Sequence, residues 1–239
     1  MIILYILGVV LGLFLAYVIF LSICALAVNP KREYNADSPF YRAVLNSATA
    51  FVLRLVRVRV HLNGGEKIPK NGPLLFVGNH RSNYDPIVTW YALKKWNLAF
   101  ISKEGNFKIP FFGRIIRKCC FLSIDRENPR NAITTINKAA TLLREGTVNM
   151  GVYPEGTRSK SGELLPFHNG VFKIAQKADC PVVVLAVRGT EQVHCRTPFR
   201  KTNVNLDVLE VLPADWIKSS KTDIIGSRVS RMLEEHLSD

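Results

Sequence analysis

The 239-residue chain is poor in cysteine and in acidic side chains. Its five cysteines are odd in number, and no two have the C-x-x-C spacing of a zinc or redox site. The cysteines therefore predict free thiols in a reducing compartment rather than a disulfide framework. Only 19 Asp and Glu stand against 32 Lys and Arg. The resulting net charge of +13 predicts attraction to nucleic acid, anionic lipid or a phosphorylated substrate.

Several sequence motifs that would direct a functional assignment are missing. No helix-turn-helix, zinc-finger or RNP pattern occurs, and a membrane-attached basic chain makes nucleic acid an unattractive partner. The G-x-S-x-G motif is also missing, which argues against the nucleophile elbow of serine hydrolases. The chain has no internal repeats and no low-complexity tracts. We therefore expect no nucleic-acid partner and no serine nucleophile.

Charge is absent from the first 28 residues, which form a continuous apolar segment. About 20 helical residues suffice to cross a hydrocarbon core of roughly 30 Å, so residues 1–28 are predicted to be a membrane anchor helix. A signal peptide is the alternative, because Ala25 to Ala27 resembles a cleavage site. However, no basic residue precedes the segment, and it is longer than a usual signal core.

Residues 29–55 follow as a basic amphipathic segment that we expect to lie at the membrane interface. Lys31 and Arg32 directly follow the apolar run, and cytoplasmic flanks are generally rich in such residues. The predicted location is therefore the cell membrane, with the domain on the cytoplasmic side. Two arrangements remain open: the first helix spans the bilayer, or it packs with the second as a shallow hairpin.

Residues 56–239 are predicted to form one α/β domain. Residues 56–62 alternate apolar and polar side chains, which is typical of a half-buried strand, and residues 74–78 form the continuous apolar run of a buried one. Further strands (98–102, 120–124, 148–153, 181–187, 203–211) alternate with helices (86–95, 109–118, 129–145, 170–178, 222–237). This order predicts a mixed, largely parallel sheet that is flanked by helices.

His80 and Asp85 are the candidate catalytic residues, in the stretch VGNHRSNYDP that follows the buried strand. Ligands of such sheets gather where strands end, and an imidazole there is suited to act as a general base. Asp85 precedes Pro86 and is expected to be the N-cap of the next helix. A turn between the two residues would let Asp85 orient the imidazole. Taken alone, the pattern equally fits a surface turn.

The stretch YPEGTRS, residues 153–159, is the second candidate and also follows an apolar strand. Arg158 offers a charged fork for phosphate oxygens, and Gly156 allows a ligand to approach the backbone. Thr157 adds a hydroxyl, and Glu155 can accept a hydrogen bond from a substrate hydroxyl or hold an arginine. A polar turn with a surface ion pair is the simpler alternative.

Two further strand ends supply basic side chains. Arg126 lies in the stretch SIDR with Asp125 beside it, and it is a candidate phosphate ligand. Lys103 precedes an apolar segment, residues 107–112, and this combination suits a phosphorylated lipid or, equally, an ordinary core segment with one solvated lysine.

Together these stretches resemble the ordered motifs of the glycerolipid acyltransferases, in particular the 1-acyl-glycerol-3-phosphate acyltransferases. The resemblance covers roughly residues 60–190 and is carried by N-H-x-x-x-x-D, I-D-R, P-E-G-T-R-S and a later strand that opens with Pro181. It implies that His80, steadied by Asp85, deprotonates the sn-2 hydroxyl of lysophosphatidic acid, which attacks an acyl thioester directly.

The same resemblance implies roles for the other candidates. Lys103, Arg126 and Arg158 would hold the phosphate, while Glu155, Gly156 and Thr157 would shape the glycerol end. It implies no metal and no cofactor besides a co-substrate thioester of coenzyme A or acyl-carrier protein. Three alternatives remain: another acyl acceptor, a non-catalytic protein that binds anionic lipid, and a membrane-bound thioesterase.

Overall fold

The computed structural model describes residues 1–125, 128–197 and 199–238. In these ranges the strands are β1 (Val58–Asn63), β2 (Leu75–Gly78), β3 (Leu98–Lys103), β4 (Leu122–Ile124), β5 (Asn149–Val152), β6 (Val182–Arg188) and β7 (Thr202–Leu212). The α-helices are α1 (Ile2–Leu26), α2 (Pro39–Leu55), α3 (Asp85–Ala92), α4 (Phe112–Ile115), α5 (Pro129–Arg144), α6 (Lys173–Ala178), α7 (Val193–Arg196), α8 (Ala214–Ser219) and α9 (Thr222–Ser238).

The strands form one seven-stranded sheet in the order β1-β7-β6-β2-β5-β3-β4. Only the pair β6–β7 is antiparallel among the described strands, and the other five pairs are parallel. The expected mixed, largely parallel sheet is thereby confirmed. The carboxyl ends of β2, β3, β5 and β6 lie at the same edge of this sheet, which is where the candidate residues are found.

Apolar side chains of the central strands point alternately to two cores. Leu75 and Val77 of β2 pack with α5, α6, α8 and α9 on one face of the sheet. Phe76 packs with α2, α3 and α4 on the other face. Because helices cover both faces, β2 is buried along its whole length, as its continuous apolar run indicates.

Helix α1 is the described helix that is long and apolar enough to cross a bilayer. Most of its side chains are exposed, and only its last turn is buried against the domain, through Cys24 and Ala25. It lies along α2: the Tyr17 hydroxyl is 2.9 Å from that of Ser47, and the rings of Phe14 and Phe51 are 6.2 Å apart.

The helix expected over residues 109–118 is much shorter in the structure. Helix α4 spans four residues, and a 3₁₀ segment over 116–119 continues it. Pro110 lacks an N–H, and Phe111 has a φ of +58°, so a regular helix cannot run through this point. Helices α7 and α8 were not expected from the sequence.

Candidate active site

His80 and Asp85 form a hydrogen-bonded pair directly after β2. The imidazole Nδ1 lies 2.8 Å from Oδ2 of Asp85. The His80 side chain is 18% exposed, whereas the Asp85 side chain has no exposed surface. The carboxylate of the pair is thus buried, whereas the imidazole is partly exposed to solvent.

Asp85 is held by donors that precede it in the chain and by one from a neighbouring strand end. Its Oδ2 accepts the backbone N–H groups of Arg81 and Ser82, each at 2.7 Å, and its Oδ1 accepts the Thr190 hydroxyl. The expectation that Asp85 is an N-cap is wrong: Tyr84 is the N-cap and Asp85 is the first residue of α3. The carboxylate turns back to the loop because the N–H groups of that loop converge on it.

This bonding pattern assigns the protons on His80. Asp85 Oδ2 already accepts two backbone N–H groups, so it also acts as the acceptor toward Nδ1, which carries the proton. The other nitrogen, Nε2, has no hydrogen-bond partner among the described residues, and in the neutral imidazole it is the nitrogen with the lone pair. It is therefore the nitrogen available to a ligand.

Asn79 attaches the loop of residues 79–85, which we call the His80 loop, to β6. Its side-chain amide donates to the Val187 carbonyl at 3.0 Å and its oxygen accepts the Val187 N–H at 2.7 Å. Asn79 is buried, so the two bonds satisfy polar groups that water cannot reach. Asn79, the residue before His80, is thus held through both the nitrogen and the oxygen of its side-chain amide.

The ring of Tyr153, the first residue after β5, stacks against the imidazole of His80. The two ring centroids are 4.5 Å apart with an interplanar angle of 18°, and Phe100 stacks on Tyr153 at 5.9 Å. The Tyr153 hydroxyl donates to Thr89 at 3.3 Å. Burial raises the pKa of Tyr153 well above its usual value, so it stays a neutral aromatic support.

Glu155 is buried and turned away from the cavity that His80 faces. Its carboxylate accepts the backbone N–H of His80 through Oε1 and that of Leu165 through Oε2. Burial raises the pKa of Glu155, while these two hydrogen bonds act in the opposite direction. In this structure both carboxylate oxygens of Glu155 thus bind backbone N–H groups, and one of them holds the His80 loop.

A cavity of about 550 Å³ opens beside His80. Lys103, Gly156, Thr157 and Arg158 line it, as the sequence predicts for groups that meet a substrate. Its remaining lining combines apolar side chains with polar ones (Pro86, Ile87, Phe100, Ile101, Ile109, Phe112 and Tyr153; Asn83, Ser102 and Asn106). The cavity thus offers two cations, an imidazole and apolar walls. Arg126 lies outside the described residues.

The backbone brings Arg158 and His80 together. The Ser159 N–H donates to the His80 carbonyl at 2.8 Å, so the residue after Arg158 is hydrogen-bonded to the His80 loop. Gly156 has a φ of +69°, a left-handed conformation that glycine adopts without strain. The turn at Gly156 directs Thr157 and Arg158 to the cavity.

Comparison with known proteins decides the family. The family model described as "Acyltransferase" matches residues 59–188, more than half of the chain. The chain belongs to the acyltransferase family. The match runs from the second residue of β1 to the end of β6 and includes the loops after β2 and β5; together with the named relatives it shows that the enzyme is an O-acyltransferase.

Named relatives extend over most of this acyltransferase. The 1-acyl-sn-glycerol-3-phosphate acyltransferase alpha of Homo sapiens is 25% identical over 219 residues, covering 89% of this chain and 75% of the relative. The 1-acyl-sn-glycerol-3-phosphate acyltransferase of Borreliella burgdorferi is 25% identical over 190 residues, covering 76% and 74%. The crystal structure of the LPA acyltransferase PlsC from Thermotoga maritima has a TM-score of 0.67 and 26% identity, covering 83% of this chain and 80% of that one.

Three residues that hold His80 or Asp85 in place could not be predicted from the sequence. Thr190 lies in no motif, and only the adjacency of β2 and β6 brings it to Asp85. Tyr153 opens the second motif, but a stacking partner cannot be recognised without the loop geometry. Asn79 is part of the first motif, yet its bonds to Val187 span 108 residues.

Proposed function

We propose that this acyltransferase moves a fatty acyl group from a thioester to the sn-2 hydroxyl of 1-acyl-glycerol-3-phosphate, giving phosphatidic acid. The observation that carries the proposal is the His80–Asp85 pair at a cavity with two cations and apolar walls. The named relatives support the choice of lysophosphatidic acid as acceptor.

His80 is the general base of the proposed reaction. Its Nε2 takes the proton of the acceptor hydroxyl while the oxygen attacks the thioester carbonyl, and the tetrahedral adduct then expels a thiolate. The imidazolium returns its proton to that thiolate, so the enzyme ends as it began. Asp85 stabilises the imidazolium through Nδ1–H, and Thr190 and two backbone N–H groups hold Asp85 in place.

Lys103 and Arg158 are the proposed ligands of the acceptor phosphate. Both are exposed, line the cavity and form no ion pair within the described ranges. An arginine fork can bind two phosphate oxygens at once, whereas a lysine acts as a point charge. Arg126 is proposed as a third ligand on the strength of its motif. Gly156 and Thr157 shape the glycerol end.

The acyl donor is proposed to be a thioester of coenzyme A or of acyl-carrier protein, with no other cofactor. Helix α1 is proposed to attach the enzyme to the cell membrane with the α/β domain on the cytoplasmic side. Lys31 and Arg32 support this orientation because basic residues concentrate on cytoplasmic flanks. Acyl chains then reach the cavity from the bilayer.

An assay with three acceptors tests the proposal. Purified full-length protein in detergent receives a labelled acyl thioester with lysophosphatidic acid, glycerol-3-phosphate or lysophosphatidylcholine, or with no acceptor. We expect phosphatidic acid from the first. Product only from another acceptor would contradict the assigned substrate, and release of free fatty acid without any acceptor would indicate a thioesterase.

His80→Ala tests the mechanism separately from the acceptor. We expect its turnover to fall roughly 10²- to 10⁴-fold, the usual contribution of a general base, with acceptor binding retained. His61→Ala is the matched control, because His61 is exposed on the edge strand β1 and lies outside the cavity lining. Wild-type turnover in His80→Ala would remove His80 from the mechanism.

A further inference from the structure

The segment after β6 connects the active-site loop with the end of α2. Near its start, the Thr190 hydroxyl binds Asp85, and the His194 ring lies 5.0 Å from that of Tyr84. Further along, the Thr197 hydroxyl contacts the carbonyl of Val56, the residue that follows α2, at 3.3 Å. The segment is therefore placed beside the C-terminal end of α2.

Phe199 is the most exposed large apolar side chain of this region. It is 85% exposed, and the Arg57 guanidinium holds its carbonyl at 3.0 Å, next to the start of β1. Leu55, the last residue of α2, lies two residues before Arg57 in the chain and is 63% exposed. A single exposed phenylalanine is unremarkable in itself. Its surroundings make this one informative.

Basic residues flank Phe199 in the sequence, and others lie at the junction between α2 and β1, where Arg57 contacts the Phe199 carbonyl. We call the following exposed residues the Phe199 patch: Arg54, Leu55, Arg57, Arg196, Phe199, Arg200 and Lys201. Between residues 189 and 206 the sequence has one acidic residue, Glu191. Arg196, Arg200 and Lys201 form no ion pair within the described ranges. The patch thus combines an exposed aromatic ring with a cluster of basic side chains.

This combination is complementary to the surface of an anionic bilayer. Phenylalanine and leucine side chains bury at the boundary between headgroups and acyl chains, while lysine and arginine are attracted by anionic lipids. The patch is also continuous with the membrane-facing helices, since the exposed Phe51 and Val52 belong to α2 and Phe51 packs against Phe14 of α1. Both observations favour lipid over a soluble partner.

We propose that the Phe199 patch is a second membrane contact, separate from α1, that inserts Phe199 among anionic headgroups. This contact adds a second point of attachment to that of α1 and thereby restricts how the domain tilts on the bilayer. It also connects the membrane surface to the Thr190 end of the same segment. The proposal requires that α1 attaches the protein to a membrane, but not that the acceptor is lysophosphatidic acid.

A fluorescent label at position 199 tests the contact in the full-length protein. Cys195→Ser removes the exposed cysteine, and the other four cysteines are buried. Phe199→Cys in this background is then labelled with the environment-sensitive dye NBD and placed in nanodiscs of phosphatidylcholine and phosphatidylglycerol. Ile224→Cys is the control: Ile224 is 53% exposed on α9, across the sheet from α2.

We expect brominated lipid to quench the label at 199 several-fold more strongly than the label at 224. Replacing phosphatidylglycerol by phosphatidylcholine, or introducing Arg196→Glu, Arg200→Glu and Lys201→Glu together, should remove most of this difference. Equal quenching at 199 and 224 would overturn the proposal. So would a label at 199 that becomes protected only when RNA, another protein or more of the same chain is added. Incorporation of the protein into the nanodisc reports on α1 independently.

Discussion

The Thr190 hydroxyl donates a hydrogen bond to Oδ1 of Asp85, although 105 residues separate them in the chain. Thr190 follows β6 and Asp85 follows β2, and these two strands are neighbours in the sheet. The acid that orients His80 is therefore held by a residue from the adjacent strand end. Both Asp85 and Thr190 have no exposed surface, so water cannot replace this bond.

Thr190→Val is expected to lower kcat about tenfold while leaving KM for the acceptor unchanged. Valine keeps the shape but leaves a buried carboxylate oxygen without its donor, which costs about 1.5–3 kcal/mol in typical cases. Thr190→Ser restores a hydroxyl and should recover most of kcat. Steady-state kinetics of the wild type, Thr190→Val and Thr190→Ser measure kcat and KM. A valine variant with full kcat would show that Thr190 has no positioning role.

Arg158→Ala is expected to raise KM for the phosphorylated acceptor roughly 10- to 100-fold, because a hydrogen-bonded charge pair with phosphate is lost. Turnover at saturation should change far less. Lys160→Ala is the matched control, since Lys160 is exposed nearby but does not line the cavity. The same KM in Arg158→Ala as in wild type would exclude Arg158 from the phosphate site.

Glu155→Gln is expected to lower both stability and turnover. The carboxylate accepts two backbone N–H groups, and the amide that replaces it presents a donor to one of them. A buried unsatisfied group costs about 1–3 kcal/mol, so the thermal midpoint should fall. Glu163→Gln, at an exposed position nearby, should leave the midpoint unchanged. An unaltered midpoint in Glu155→Gln would contradict the supporting role of Glu155.

Asp207, on β7, provides a pH-dependent contribution to stability. Its carboxylate accepts hydrogen bonds from Asn63 at 2.6 Å, His236 at 2.9 Å and Arg188 at 3.1 Å. Burial alone would raise the pKa of Asp207, but these partners outweigh it and lower that pKa. A carboxyl with a lowered pKa stabilises the fold above its unfolded-state pKa of about 4, and the stabilisation disappears on further acidification.

Asp207→Asn is therefore expected to reduce the thermal midpoint at neutral pH, with a deficit that shrinks as the pH falls below about 4. Thermal unfolding of wild type, Asp207→Asn and the exposed control Asp215→Asn across this range measures the effect. A deficit that is independent of pH would show that the charge of Asp207 does not contribute.

The sequence predicts the strands of this fold better than their arrangement. The alternating pattern of residues 56–62 and the apolar run of 74–78 identify β1 and β2, since burial on one or two faces directly determines side-chain polarity. The place of β7 between β1 and β6 depends on pairing between strands distant in the chain, which no local pattern encodes. Helix α4 was overestimated because its apolar spacing hides the interruption at Phe111.

In the candidate site, too, contacts within a short stretch of chain can be predicted, whereas contacts between distant residues cannot. The spacing of His80 and Asp85 predicts their contact because one turn of chain joins them. Lys103 and Arg158 both line the cavity because parallel strands end at a common edge. Glu155 was expected to face a substrate and instead binds the backbone of His80, a partner 75 residues away. Such long-range partners become visible only when the sheet order is known.

The position of Thr190 along the chain also sets the order of events during synthesis. Helix α1 leaves the ribosome before the α/β domain, whereas Thr190, which holds Asp85, follows most of that domain. Domains generally fold as units during synthesis. We therefore expect the contact between His80 and Asp85 to be secured only after α1 and the strands β1 to β6 have been made.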